Sequence, residues 1–198
     1  NGKGYGIIRS GNGDVSFTGT GINNTQVNIS TSVLNGTYHL IANPFLGYVS
    51  IDDIFLDNDE LQELDTDLFF WDGSSYITRS SGADSSFEIA PGQGFFIRSV
   101  DAFDFEFNYA RVSHNNSDTF GKSSNQRPEI HLFVSEGSKK ASARVLYIDG
   151  TTKGYDAGYD GKLFGGVAHS FAIYSDLIES DGKKYQSQSL PNQDYESM

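Results

Sequence analysis

The sequence predicts an all-β protein built from β-sandwich or jelly-roll units, mostly antiparallel, with one or two short helical turns. Phe occurs 15 times, Tyr 11 times and Gly 22 times, whereas Pro occurs only 4 times. Aromatic residues favour strands, and glycine favours the turns between strands. Short strand-like segments recur at close spacing, which is typical of sandwiches and jelly rolls rather than of alternating βαβ units.

The clearest strand is the segment FDFEFNY at 103–109, in which Phe103, Phe105 and Phe107 alternate with polar residues. An alternation of period two indicates a half-buried strand. The segment GFFIRSV at 94–100 precedes it, and the two residues between them predict a tight turn, so that 94–109 predicts a hairpin. The other predicted strands are 5–10, 15–20, 27–32, 38–43, 67–72, 75–80, 86–90, 129–135, 143–149, 169–175 and 183–190.

Local signals also predict the breaks between strands. Ser50 followed by Asp53 fits a helix capping box, and ELQEL at 60–64 predicts a second helical turn. Asn43-Pro44 predicts the end of a strand, because proline cannot donate to the ladder and holds the preceding residue extended. Pro91-Gly92 predicts a turn before the strand at 94–100.

An uneven distribution of charge predicts two domains. Residues 1–121 carry 16 acidic and 5 basic side chains, whereas residues 122–198 carry 10 and 9. The change falls in the polar segment GKSSNQRPE at 121–129, which predicts a linker. We therefore expect a jelly-roll-like β-sandwich at 1–122 and a second β-sandwich segment at 123–198. The alternative is one continuous jelly roll in which both segments share a core.

The overall charge and the residue inventory argue against several classes of function. A net charge of −12 makes nucleic acid an unfavourable partner, and no apolar segment is long enough for membrane insertion. The chain has no cysteine, its four histidines are scattered, and no metalloprotease or hydrolase motif occurs. We therefore predict no catalytic residues and no enzymatic activity.

Calcium is the only cofactor for which the sequence offers a candidate site. The segment DAGYDG supplies Asp156 and Asp160, loosely like the start of an EF-hand loop. The third position is Gly158 and the twelfth is Val167, whereas an EF-hand places a bidentate glutamate at the twelfth. A turn with solvated carboxylates is the alternative interpretation.

Glycans are the other candidate ligand. Trp71 and Tyr76 flank the Asp72-Gly73 turn, and exposed aromatic rings of this kind stack on sugar faces. The alternative is that Trp71 is a core residue, as a single tryptophan within an apolar strand often is.

Several segments along the chain resemble a known class of secreted proteins. The segments HLIANPF (39–45), LFFWDGSSY (68–76) and IAPGQGFFIRS (89–99) occur in that order, and TTKGYDAGYDGKLFGG (151–166) follows. Together they resemble the β-rich region upstream of the C-terminal sorting domain in proteins that Bacteroidota export through the type IX secretion system. The resemblance covers nearly the whole chain. It departs from the family at Ala42 and Leu46, where the family usually has glycine and proline.

The resemblance implies a location and a general role. It implies a secreted or cell-surface protein, truncated here at its C-terminus because further strands normally follow. We expect a non-enzymatic module that serves as spacer, adhesion unit or assembly unit, with other domains of the same or neighbouring surface proteins as partners. The alternative is a carbohydrate-binding accessory module of a secreted polysaccharide-degrading enzyme.

Overall fold

A computed structural model of the chain describes residues 26–30, 37–64, 66–99, 102–114, 127–168 and 171–196, together with Gly4, Gly6, Gly11, Ser16, Thr18, Thr20 and Ile22. The described strands are β1 (Gln26–Ser30), β2 (Thr37–Ala42), β3 (Val49–Ser50), β4 (Asp67–Trp71), β5 (Tyr76–Ser80), β6 (Glu88–Ile89), β7 (Gly94–Ser99), β8 (Asp104–Asn108), β9 (Glu129–Glu136), β10 (Lys139–Tyr147), β11 (Gly161–Lys162) and β12 (Tyr185–Leu190). The described helices are α1 (Ile51–Asp57), α2 (Asp59–Leu64) and α3 (Asn192–Glu196), with one 3₁₀ turn at Tyr109–Arg111. The all-β class is confirmed. Most residues of the predicted strands at 5–10 and 15–20 lie outside the described part of the chain, which includes only Gly6, Ser16, Thr18 and Thr20 of them.

Four antiparallel strands form the central sheet, in the order β2-β7-β4-β5. Side chains alternate between the two faces of such a sheet. One face carries Ile41, Leu68, Phe70, Phe95 and Ile97, which are almost completely buried and belong to the main hydrophobic core. The core is therefore formed by the inner face of this sheet.

Strands β1 and β8 form an antiparallel pair that contributes to the same core. Phe105 and Phe107 on β8 are buried, so the alternation in this segment is confirmed. The predicted hairpin at 94–109 is wrong, because β8 pairs with β1 and not with β7. Strand β7 is hydrogen-bonded to β2 on one side and to β4 on the other, so it has no free edge to offer.

The helical turns begin where the capping signal predicts. Ser50 Oγ accepts a hydrogen bond from Asp53 N at 3.1 Å, and α1 starts at the next residue. Ile54 and Phe55 point into the core. Helix α2 confirms the second predicted turn. The described helices are all too short to cross a lipid bilayer.

Strand β2 ends at Ala42, as the following Asn43-Pro44 predicts. The buried side chain of Asn43 holds the turn together. Its Nδ2 donates to the carbonyls of Gly47 at 2.9 Å and Ile89 at 3.0 Å. Its Oδ1 accepts from Phe45 N at 3.0 Å. Asn43 thus links this turn to strand β6.

The second sheet has the order β11-β12-β10-β9 and is mixed, because β10 and β12 run parallel. Strand β10 begins at Lys139, earlier than the predicted 143. The predicted strand at 169–175 is wrong for residues 171–175, which form only an isolated bridge from Ser175 to Tyr185. Residues 169 and 170 lie outside the described part of the chain.

The part that follows residue 127 packs on the outer face of the central sheet. Phe164, just after β11, is almost fully buried. Its ring centroid lies 4.5 to 5.0 Å from the rings of Tyr38, Phe69, Tyr76 and Phe96. The central sheet is therefore covered on both faces, by the core on one side and by Phe164 and its neighbours on the other.

Backbone hydrogen bonds also connect the two parts. Gly82 N and Ala83 N both donate to Gly158 O at 2.8 Å. The predicted boundary between 1–122 and 123–198 falls outside the described residues. The division into two domains and the jelly-roll topology stay predictions.

Candidate functional site

The hairpin β4–β5 places Trp71 and Tyr76 side by side. The two residues are cross-strand partners at the end of the ladder. Between them Asp72 Oδ1 accepts from Ser74 N and Ser75 N, each at 2.8 Å. Burial alone would raise the pKa of Asp72, but the hydrogen bonds from Ser75 and Ser74 outweigh burial, and the pKa is lowered. This tight turn holds the two aromatic residues in fixed positions.

Trp71 is not a core residue, because 54% of it is exposed. Its ring lies 5.1 Å from that of Tyr76, at an interplanar angle of 63°. Tyr76 in turn packs against Phe164 at 4.5 Å and Phe96 at 5.8 Å. Tyr76 is therefore anchored from behind, while Trp71 presents much of its indole to solvent.

These two aromatic residues border a cleft of about 340 Å³. Ser74 and Ser75 of the hairpin turn lie on the same side. The cleft is also lined by Lys139, Lys140 and Ala141 of β10, and by Leu163, Val167, Phe171 and Ile173. The cleft thus combines apolar walls with hydroxyl and ammonium donors. We call it the Trp71 cleft.

Gln186 on β12 also lines the Trp71 cleft and connects β5 with β10. Its Nε2 donates to Tyr76 O at 2.6 Å and Ser142 O at 3.0 Å. Its Oε1 accepts from Thr78 N at 2.8 Å. Sequence reasoning missed Gln186, Lys139 and Lys140, because no local pattern shows that β10 and β12 lie opposite the hairpin.

A second cavity lies on the other side of the hairpin. It has a volume of about 390 Å³, and it is lined by Trp71, Asp72, Gly73, Ile77, Phe87 and Gln93 among others. Trp71 therefore borders a recess on each side. A ligand longer than one ring could contact the indole from either recess.

Asp156 and Asp160, the predicted calcium ligands, lie in one turn before β11. Asp160 Oδ2 accepts from Asp156 N, and its Oδ1 accepts from Ser189 N, both at 2.7 Å. Burial raises the pKa of Asp160 to about 6. Asp156 accepts from Thr152 N at 2.6 Å. Across the described ranges, no three His, Asp or Glu side chains are grouped to hold a metal ion. The calcium site stays a prediction.

Comparisons with known proteins add no family to this description. A scan against models of protein families, a search of curated proteins and a search of solved structures each found no match to the chain.

Proposed function

We propose that this chain is a non-enzymatic, glycan-binding module of a secreted or cell-surface protein, and that the Trp71 cleft is its binding site. The observation that carries the proposal is the exposure of Trp71, 54%, at the mouth of a cleft. Tryptophan and tyrosine are enriched at binding interfaces, because each combines a large apolar ring with a polar group that can form a hydrogen bond. The secreted location rests on the sequence resemblance alone.

The shape and chemistry of the cleft suit a sugar. Its volume of about 340 Å³ falls within the usual range for ligand sites, about 300 to 1,000 Å³. The flat indole of Trp71 offers an apolar surface for the C–H face of a pyranose ring. Ser74 and Ser75 carry hydroxyls that both donate and accept, as sugar hydroxyls require.

The two lysines narrow the class of glycan. Lys139 and Lys140 line the cleft of a chain whose overall charge is −12. Lys139 Nζ also lies 4.0 Å from Glu136 Oε2 in a solvent-exposed ion pair, which is weak. Ammonium groups attract the carboxylate or sulfate groups of a charged sugar, whereas a neutral sugar gains no such attraction. We therefore expect polysaccharides that contain uronic acids or sulfate esters to bind more tightly than neutral ones.

Tryptophan fluorescence tests the proposal directly, because Trp71 is the only tryptophan of the chain. Titration with polygalacturonate, alginate and neutral glucans should shift the emission of Trp71 for at least one acidic polymer. Trp71→Ala should weaken binding, measured by affinity electrophoresis, by about tenfold or more, as loss of a binding hot spot does. Tyr195→Ala, which removes an aromatic residue of similar exposure (48%) away from the cleft, should bind like the unmodified protein.

Two results would overturn this assignment. One is a panel of acidic and neutral glycans that leaves Trp71 emission unchanged. The other is a Trp71→Ala protein that retains full affinity for the glycan. Because Trp71 is exposed, the substitution should leave the melting temperature nearly unchanged, and loss of binding can then be assigned to the site.

A role in assembly is the second candidate, and it is favoured by the exposed edge strand β9. This strand lies at the end of the second sheet and carries Ile130, Leu132, Phe133 and Val134, all exposed, with Phe133 at 77%. A long, apolar edge strand is a template for pairing with another strand. Antiparallel pairing of two copies centred on Leu132 would set Ile130 opposite Val134 and His131 opposite Phe133. We therefore propose that the partner is a second copy of this chain.

Sedimentation measurements distinguish this second role from the first. Phe133→Lys should convert a concentration-dependent dimer into a monomer, because it places a charge within the apolar pairing edge. Leu46→Lys, at a site of similar exposure (75%) outside the second sheet, should leave the dimer intact. A monomer at all concentrations would contradict the assembly role and leave the glycan proposal unaffected.

A further inference from the structure

Asp84 is completely buried and is shared by three arginines. Arg144 Nη1 lies 2.9 Å from Asp84 Oδ1, and Arg144 Nη2 donates to Oδ2. Arg79 Nη1 lies 3.2 Å and Arg127 Nη2 3.6 Å from Oδ1. Ser80 N donates to Oδ2 at 3.1 Å. Burial alone would raise the pKa of Asp84, but the charge of Arg144 holds it below its usual value.

The cluster carries more positive than negative charge. Among the described residues, Glu129 is the other carboxylate in contact with it, with Oε1 2.9 Å from Arg127 Nε. Three guanidinium groups therefore face two carboxylates. His131 Nε2, 2.7 Å from Glu129 Oε2, adds to the positive charge when it is protonated. A surplus charge in a buried position is costly unless an ion of opposite sign compensates it.

Like Arg127, which does not line the cavity beside the cluster, Arg79 has donor capacity left. Its Nε is buried and lacks a hydrogen-bond partner within the described part of the chain. Its guanidinium lies over the ring of Phe87, with Cζ 4.9 Å from the centroid. Burial and the nearby Arg144 charge lower the pKa of Arg79, although Asp84 opposes this shift. An additional anion beside Arg79 would stabilise the charged guanidinium, and would so offset the effects of burial and of the Arg144 charge.

A small cavity lies at this position. Its volume is about 60 Å³. Its lining includes Thr78, Arg79, His131, Ser142, Arg144 and Gln186. A water molecule occupies about 30 Å³ of liquid volume, so the cavity offers the space of about two waters or one small oxyanion.

We propose that this cavity binds one small oxyanion, such as phosphate, sulfate or a carboxylate group, held by Arg79 with Ser142 and His131 as further donors and with the positive charge of Arg144 beside it. Guanidinium groups present planar, paired donors that match the oxygens of such anions. A cation is disfavoured by the surplus positive charge. The site is separate from the Trp71 cleft, although Gln186 lines both cavities.

The bound anion would act as a clamp between the two sheets. Arg79 belongs to β5 of the central sheet, whereas Arg144 and Ser142 belong to β10 and His131 to β9. An anion that contacts Arg79 and Ser142 can bind only when the two sheets are docked. By mass action it therefore stabilises the docked, native protein.

Calorimetric titration of the full chain with sodium phosphate at low ionic strength tests the proposal. We expect one saturable site per chain. Arg79→Gln should weaken phosphate binding by about tenfold or more, as expected for loss of a charge-assisted hydrogen bond. Arg111→Gln is the matched control, because Arg111 forms a partly exposed ion pair with Asp57 at 3.4 Å, away from the cavity. It should change the affinity by less than about twofold.

A second variant keeps the test decisive if Arg79→Gln does not fold. Ser142→Leu retains every charge of the cluster but fills the cavity, so it should abolish phosphate binding. Sodium sulfate and sodium acetate titrations then show which oxyanion fits best. An unmodified protein without saturable binding of all three anions would overturn the proposal. So would a Ser142→Leu protein that binds phosphate normally, or an Arg111→Gln protein that loses as much affinity as Arg79→Gln.

Discussion

Phe164→Ala is the substitution that most directly tests how the two parts of the chain hold together. The ring of Phe164 is almost fully buried among Tyr38, Phe69, Tyr76 and Phe96. These four partners all lie on the outer face of the central sheet. Truncation to alanine leaves a cavity at the centre of this contact without changing any charge or any backbone hydrogen bond.

The expected loss of stability follows from the burial of the ring. A buried aromatic residue covers about 150 to 250 Å², which at about 25 cal/mol per Å² corresponds to about 4 to 6 kcal/mol. Alanine retains part of this, and buried Phe→Ala substitutions cost about 3 to 5 kcal/mol. We therefore expect the free energy of unfolding to fall by about 4 kcal/mol, a large fraction of the about 5 to 15 kcal/mol typical of a domain.

Urea unfolding followed by circular dichroism measures this loss. Leu46→Ala is the control: it truncates an apolar side chain at a site that is 75% exposed, and should cost less than about 0.5 kcal/mol. A loss below about 1 kcal/mol in Phe164→Ala would refute the reasoning, because it would mean that the ring is not packed as described. A loss of similar size in Leu46→Ala would refute it as well.

Three further outcomes can be measured on the same protein. Asn43→Ala should lower the free energy of unfolding by about 1 to 3 kcal/mol, because it leaves the buried carbonyls of Gly47 and Ile89 without this partner. Asn28→Ala, on the exposed side of β1, should have almost no effect. Equal losses of stability in the two variants would contradict this expectation. Burial raises the pKa of Asp160 to about 6, so its carboxyl carbon should titrate near that pH in ¹³C NMR spectra, and a midpoint near pH 4, about the value for a free aspartate, would contradict the burial argument. The sign follows from the raised pKa: the contribution of Asp160 to stability is complete below about pH 4 and is lost as the pH rises through about 6. A calcium site at Asp156 and Asp160 predicts a melting temperature that rises in calcium but not in magnesium at equal ionic strength, with no rise in Asp160→Asn; equal melts in the two salts would exclude it.

A strand could be predicted from sequence where its own residues show an alternating pattern. The strand with which it pairs could not be predicted. The alternation in β8 and the capping serine of α1 are local, and both are confirmed. The partner of β8 depends instead on which edges of the central sheet remain free, a property of the whole sheet. At 171–175, in contrast, apolar residues predicted a strand that does not form. Phe171 and Ile173 line the Trp71 cleft, so their apolar character is used for packing outside any strand.

The residues of the candidate site were also only partly predictable from the sequence. Trp71 and Tyr76 could be paired from sequence because a short turn separates them. Lys139 and Gln186 come from strands far away along the chain, and only the docking of the second sheet brings them opposite the hairpin. Asp84 looks like an ordinary loop carboxylate in the sequence. Its contact with Arg144, 60 residues later, has no local signature.

The position of β12 has a consequence for the order in which the protein can be made. Residues 185–190 insert between β10 and β11, in the middle of the second sheet. While the chain leaves the ribosome, β9 and β10 can form only a two-stranded hairpin, which is marginally stable by itself. The inner edge of β10, from Arg144 to Tyr147, stays unpaired until Leu190 has emerged. During this interval both edges of the hairpin are exposed, so neighbouring nascent chains on one polysome can pair with them.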